Sequence, residues 1–451
     1  MRLGSTFAMI GAAKFFFLLL VLSLPLMKPS VEVGGLEAKA TDLLFLLTAA
    51  SLALALLTGR TRLRWHRLFA ILIVYFLAMS VCTWVSPQPG RALVKLASQA
   101  YLLSLPVLAY QLVDTADDLR RIFRWWLAAT AITAVVGTLT VLLFVAGIGG
   151  PLLRFALHEY GTLRPGSYPR IEATFEYPAL LCNYLTVSLA VLLVSHRLGW
   201  IGSRNFVALL AAIAVTAIFS LTPGLGGFLL AIGLWLWLVF GERSRPIAAL
   251  AITGGVTAAL LFLAAASVTP ILHPTAPFLI DVPASPMQLA PSVRMLTWID
   301  AARNVLAHPL LGLGNGSPAA DVFYIGPSGA HHRQTDAHNV YLNMAAQCGL
   351  VGLGALLLLM VGVARETGPL RLSAETVVPL GLGLAWLNAF AYQGLTGSYE
   401  DARYLWLLLG LLIAGARLAH QIRRENPAPG SSPTQAGGRR AFRLRAKSGC
   451  G

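Results

Sequence analysis

Charged side chains are scarce in this sequence: Asp, Glu, Lys and Arg together make up 12% of its 451 residues, about half the share found in an average soluble domain. So few ionisable groups cannot keep a globule in water, which excludes a soluble enzyme, and a 57% hydrophobic content excludes a disordered chain. Cysteine is scarcer still. Cys82, Cys182 and Cys348 lie in or beside apolar runs, Cys450 lies in the basic last segment, and no CxxC pair or Cys/His ligand spacing occurs. This excludes a disulfide-stapled secreted module, and neither a structural disulfide nor zinc is expected.

Acidic residues are outnumbered 19 to 34 by Lys and Arg, for a formal charge of +15. In a soluble protein that excess would suggest nucleic acid, but its placement decides otherwise. Of the 34 basic residues, 22 fall on one side of the apolar runs: Arg2, then clusters at Arg60 to Arg67, Arg120 to Arg124, Arg197 and Arg204, Arg243 and Arg245, Arg365 and Arg371, and from Arg417 onward. Basic clusters at every second connection are the positive-inside pattern, so the expected partner is membrane lipid and not nucleic acid.

Apolar runs are what the sequence has in quantity. Twelve are found, near 8–27, 41–57, 68–85, 93–113, 125–147, 179–195, 206–221, 225–240, 247–268, 339–363, 377–393 and 404–420, most close to the ~20 residues that cross ~30 Å of hydrocarbon. The fold class is therefore all-α: a polytopic membrane protein with about 12 transmembrane helices filling 1–425. Residues 426–451, rich in Pro, Gly, Ser and Arg, read as a disordered basic cytoplasmic tail. The first run follows Arg2 with no small-residue cleavage site before Lys28, so it reads as a membrane helix and not a removed signal peptide. With basic loops inside, both termini are cytoplasmic, and the outer face receives two sizeable loops, about 150–178 and 269–338. Lys14, the clearest charge inside a run, reads as a side chain snorkelling to the cytoplasmic surface.

Polar chemistry gathers in those outer loops. From Ser292 the residues Met295, Ile299, Ala302 and Leu306 recur at helical spacing with Arg294 and Arg303 off the stripe, which predicts an amphipathic helix on the bilayer surface. Pro309 stops it and "GLGNGS" makes a turn; because the glycines follow a helix and open none, a nucleotide-binding loop is not expected. His338 and Asn339 then stand where the loop enters the tenth run, with Tyr341 and Leu342 opening its apolar face. An imidazole there meets both water and lipid, and could deprotonate or orient a sugar hydroxyl on an amphipathic substrate. By position alone it could equally cap the helix and bond a loop carbonyl. Glu400, Asp401 and Arg403 crowd the last outer loop and read as a solvated cluster at a helix end.

Three segments carry a resemblance: "SVRMLTWIDAARNVLAHPLLGLGNGS", "DAHNVYLNMAAQCGLVGL" and "RIEATFEYPALLCNYL". Together they resemble the superfamily of O-antigen ligases and O-antigen or exopolysaccharide polymerases. In that superfamily an Arg-led helix ends in a His-Pro-Leu-Leu-Gly-x-Gly turn, and a His-Asn-x-Tyr-Leu motif opens the next span. The resemblance implies a GT-C-like membrane glycosyltransferase that takes glycan from an undecaprenyl-diphosphate carrier, on the periplasmic side of the bacterial inner membrane, without cofactor. It implies His338 as the catalytic residue and Arg294 and Arg170 as arginines near the donor diphosphate. Asn339, Tyr341, Arg333 and Arg164 complete the expected substrate-binding set. Guanidinium groups can stabilise the negative charge that develops on a diphosphate leaving group, and metal independence is expected.

One position departs from the pattern. Members usually carry Ser-Arg-Gly-Gly between the seventh and eighth spans, whereas this chain has "LTPGLGGFLL" with Leu225 at the Arg position. Either Arg154, Arg164, Arg294 or Arg333 supplies the missing charge, or the donor differs, or catalysis is weakened. The resemblance leans to a ligase whose acceptor is the lipid A core, with a repeat-unit polymerase extending a growing glycan as the alternative. A transporter or flippase fits less well, since nearly all polar residues gather on one face and no internal repeat is evident.

Overall fold

The computed structural model describes residues 2–33, 36–158, 169–241, 245–270, 280–281, 288–325, 331–373 and 375–425. Arg164, Cys450 and the whole expected tail 426–451 lie outside the described residues. Among the described residues are α1 (Arg2–Ser23), α2 (Ala40–Leu57), α3 (Arg67–Trp84), α4 (Pro89–Leu112), α5 (Ala116–Val145), the short α6 (Pro151–Ala156), α7 (Pro178–Arg197), α8 (Ser203–Phe219), α9 (Gly224–Phe240) and α10 (Arg245–Ser267). Then come α11 (Val293–Ala307), α12 (Val340–Thr367), α13 (Val377–Ala391) and α14 (Arg403–Glu425).

Each of the twelve apolar runs lies on one long helix. Seven helices, α2, α3, α4, α5, α7, α12 and α14, contain stretches long and apolar enough to cross a membrane, and shorter apolar helices stand among them. The protein is an all-α polytopic membrane protein. α7 and α14 form its centre, with 83% and 72% of their apolar windows buried, whereas α2, at 22%, runs along the outside. Around them pack the pairs α9–α10, α1–α2, α4–α14 and α3–α12. Large aromatic rings fill the centre, among them Trp126, Tyr184, Trp386, Tyr404 and Trp406.

Two local readings change. α5 begins at Ala116, ahead of the run expected from 125. Thr115 and Asp118 form a reciprocal capping box, with Oγ1 of Thr115 accepting from the Asp118 N–H at 3.1 Å, and this carries the helix through its charged first turns. Lys14, expected to reach for the cytoplasmic surface, ends on carboxylates: its Nζ lies 2.9 Å from both Asp114 and Asp118. The two carboxylates before and within that first turn hold the ammonium and tie α1 to the α4–α5 connection.

The "PLLGLGNGS" segment has a structural task. α12 is broken at Gly349, where φ is +59° and ψ −160°, and the segment inserts into the break. Leu350 N–H and Val351 N–H would ordinarily bond to the carbonyls of Ala346 and Gln347 one turn earlier. Instead they donate to Pro309 O at 2.8 Å and Leu310 O at 3.2 Å, while Ala346 O and Gln347 O accept from the N–H groups of Leu313 and Gly314 at 2.9 Å each. These four backbone groups opened by the break are thereby satisfied, as irregular backbone at membrane depth requires. Asn315 completes the attachment by donating to Thr83 Oγ1 at 3.0 Å. The tie fixes α11 and the following chain onto α3, α4 and α12.

The outer connections add short antiparallel pairs: β1 (Val31–Val33) with β2 (Leu36–Ala38), then β3 (Val268–Pro270) and β4 (Ile280–Asp281) on either side of β5 (Gln288–Pro291). β6 (Val322–Ile325) pairs with β7 (His331–Gln334). The second large loop thus adds the β3–β5 strands and the β6–β7 pair to the amphipathic helix expected there.

Candidate active site

α11 starts at Ser292, whose Oγ accepts from Met295 N–H at 3.2 Å, a Ser N-cap. The face it turns to the protein is distinct from the apolar stripe. Thr297 and Ala301 are buried, Trp298 Nε1 donates to Ala337 O at 2.8 Å, and Leu306 of the expected stripe is 82% exposed. The reason lies in what the helix packs on: Ala319, Ala320, Ala337 and Ala346 make a shallow small-residue floor that accepts the Trp298 ring. This packing puts Arg294, on the same face, at the mouth of α12.

Asn339 caps α12, its Oδ1 accepting from Tyr341 N–H at 3.0 Å and Leu342 N–H at 3.1 Å while its Nδ2 donates to Leu395 O at 3.4 Å. Tyr341 donates its hydroxyl to Phe390 O at 2.9 Å. Both thus have internal partners that fix the helix start. His338, just before the cap, has φ of +49°, a left-handed conformation that is costly for a residue with a β-carbon and persists only where its surroundings hold it. Here they do. Its N–H donates to Asp336 Oδ1, and its carbonyl accepts from Arg294 Nη1 at 3.3 Å; the same Nη1 reaches Thr396 O at 3.1 Å.

The imidazole that results is held but reachable, its side chain 46% exposed. Nε2 lies 3.0 Å from Gln334 Nε2, and Nδ1 lies 3.7 Å from Asp336 Oδ1. Asp336 is itself fixed by Ser398, whose Oγ donates at 2.6 Å and accepts from Asn343 Nδ2 at 2.8 Å. Burial holds the imidazole below its ordinary pKa; the Arg294 charge adds to this and Asp336 opposes it. Such a ring is neutral at pH 7 and can accept a proton.

Arg170 comes from the first outer loop. The chain there folds back on itself, His158 N–H donating to Arg170 O at 2.8 Å and Glu172 N–H to Ala156 O at 2.9 Å. Glu172 is a buried carboxylate bonded to Lys28 and, at 2.9 Å, to His158 Nδ1. Arg170 and Arg294 lie near enough for their charges to repel: burial lowers the Arg294 pKa, Tyr399 and Asp336 oppose this, and Arg170 lowers it further.

Of the residues singled out from sequence, then, Arg294 bonds the His338 carbonyl, and the charge of Arg170 acts on Arg294. Arg333 sits apart on β7, its guanidinium bonded to Asp321 at 2.6 and 3.0 Å. Leu225 lies in the first turn of α9, and the preceding Gly224 O accepts from Gln393 Nε2 at 2.9 Å. Gln393 also takes the Asn183 amide at 2.8 Å, so this turn is pinned against the segment that carries Thr396. Glu400 is not a solvated charge as expected. Its Oε2 is buried with no hydrogen-bond partner among the described residues, and burial beside Asp401 pushes its carboxyl up to about 8, with Lys95 opposing. Gln334, Ser398 and Tyr399 were not anticipated, because no local spacing connects positions so far along the chain to His338.

Residues 183–357 match a family model described as O-antigen ligase. That span contains Leu225, Arg294 and His338 and stops short of Arg170. Across its length the chain is similar to an O-antigen ligase of Pseudomonas aeruginosa PAO1, with 27% identity over 405 residues, 80% of this chain and 88% of that protein.

Proposed function

We propose, from the O-antigen ligase family that these two similarities support, that this chain transfers a glycan from an undecaprenyl-diphosphate carrier to a hydroxyl of the lipid A core. The homology implies a glycosyltransferase-type membrane enzyme; donor, acceptor and chemistry are this proposal. Its chief support is one observation, the bond from Arg294 to the His338 carbonyl at the mouth of α12, where the His338 ring is reachable.

In this proposal the neutral His338 takes the proton of the acceptor hydroxyl as its oxygen bonds to the anomeric carbon. The bond between that carbon and the diphosphate oxygen breaks, and its electron pair leaves with the carrier diphosphate. Arg294 and Arg170 neutralise the developing charge, the task a divalent metal performs elsewhere. Asp336 is a positioning residue that bonds the His338 N–H and faces Nδ1. With the Gln334 amide nitrogen as donor, Nε2 carries the lone pair, and an acceptor hydroxyl would displace that amide. The transferase unit is 1–425, in the inner membrane, with cytoplasmic termini and a periplasmic active site.

Deleting the gene in its host and restoring it as wild type or His338→Ala, with lipopolysaccharide resolved on gels, tests the proposal. Loss of all O-antigen bands over an intact core, rescued by wild type only, is expected. Core capped by a single repeat would indicate a polymerase, and an unchanged ladder would reject both.

A further inference from the structure

At the opposite end of the bundle, about 40 Å away along α12 by the helical rise, the ends of α3, α12 and α14 enclose a pocket of about 460 Å³. His66, Arg67, Tyr110, Glu366, Arg417 and His420 are among its lining residues. The first turn of α3 opens onto it, with the positive end of the helix dipole. Its one carboxylate is already occupied. Glu366, 7% exposed, bonds Arg67 Nε at 2.6 Å and lies 3.7 Å from His66 Nε2. Arg417 remains in excess. Its guanidinium stacks on the Tyr110 ring at 4.5 Å and donates one nitrogen to Val113 O, while the other, Nη1, is buried without a hydrogen-bond partner among the described residues. A buried guanidinium N–H with no acceptor is costly, and an anion in the pocket would supply the acceptor.

After Glu425 the sequence contains Arg439, Arg440, Arg443, Arg445 and Lys447 and neither Asp nor Glu side chain. The pocket also stands at helix ends, the depth at which lipid headgroups lie, and the exposed Leu63 and Trp65 just precede it in the chain, an interfacial signature. We infer that the pocket between α3, α12 and α14 binds a phosphate group, presented as the headgroup of an anionic lipid or free in solution, with Arg417 as the principal donor. Basic pockets between membrane helices select anionic headgroups by this chemistry.

The test is native mass spectrometry of the delipidated full chain titrated with phosphatidylglycerol or phosphatidylcholine, with thermal shifts in inorganic phosphate measured alongside. Wild type is expected to retain phosphatidylglycerol about tenfold more tightly than phosphatidylcholine. Arg417→Gln should reduce that preference to about twofold or less. Gln421→Glu, which places a carboxylate on the exposed lip without removing packing, should do the same if Arg417→Gln folds poorly. Arg371→Gln, an exposed arginine at the same end, should keep the preference. Phosphate-dependent stabilisation lost in Arg417→Gln, with no advantage of phosphatidylglycerol over phosphatidylcholine, would assign the pocket to free phosphate. Equal retention of every ligand by wild type, Arg417→Gln and Gln421→Glu would overturn the inference.

Discussion

His338 combines a strained backbone with a neutral ring, and both have measurable consequences. Replacing it by alanine is expected to lower transfer by about 10²- to 10⁴-fold, the range for losing a general base, while purified yield stays near wild type. The acid limb of the pH–rate profile should have its midpoint below the ordinary histidine value of about 6.5 because burial and Arg294 disfavour the imidazolium. Asp336→Asn removes the opposing charge but keeps an oxygen for the His338 N–H, so that midpoint should fall further; an unmoved limb would show that Asp336 does not act on the ring. Glu400 titrates the other way. Its carboxyl is raised from 4.5 to about 8, so the folded state binds more protons than the unfolded state and stability declines as pH rises from 4.5 through 8. Glu400→Gln should therefore raise the thermal midpoint relative to wild type at pH 8 and leave it unchanged at pH 4, as scanning fluorimetry would read.

At the scale of elements, the inserted "PLLGLGNGS" segment decides where α11 stands. A β-carbon on Gly349 would lie 2.3 Å from the backbone carbon of Leu310, at a φ of +59°, so neither the contact nor the conformation can be relieved cheaply. Gly349→Ala is expected to cost about 3 kcal/mol or more and to detach α11, seen as new protease cleavage between α11 and α12. Gly354, on the same helix with nothing within 4 Å, gives the control: its alanine variant should be neutral or stabilised by up to about 1 kcal/mol. A break in a helix with no proline shows in the sequence only as one glycine among several, which explains why this tie was legible as a turn but not as an insertion. The inner face of α11 was not legible for a related reason. An apolar stripe says which side avoids water, and a floor of four alanines that admits Trp298 exists only after distant segments meet.

For the whole molecule, orientation is the open quantity, and the three cysteines Cys82, Cys182 and Cys348 are buried, which leaves a clean background for labelling. In a Cys450→Ser chain, Leu306→Cys should react with a membrane-impermeant thiol reagent from the periplasmic side, and Arg371→Cys only after the inner membrane is opened. The reverse pattern would invert the proposed topology. The sequence by itself determined the medium, the helix count and the placement of polar chemistry at one end, because the cost of exposing charge to hydrocarbon acts on every residue separately and so is written locally. His338 and Arg294 were legible for the same reason, each inside a continuous motif. Only the tertiary structure decided that Arg294 bonds the His338 carbonyl, that Arg333 is held by Asp321, that Gln334 and Asp336 face the histidine ring, and that Arg417 lines a pocket between helix ends. Those outcomes depend on which helix ends meet, and such meetings are set by packing summed over the whole bundle, which no single stretch of sequence contains.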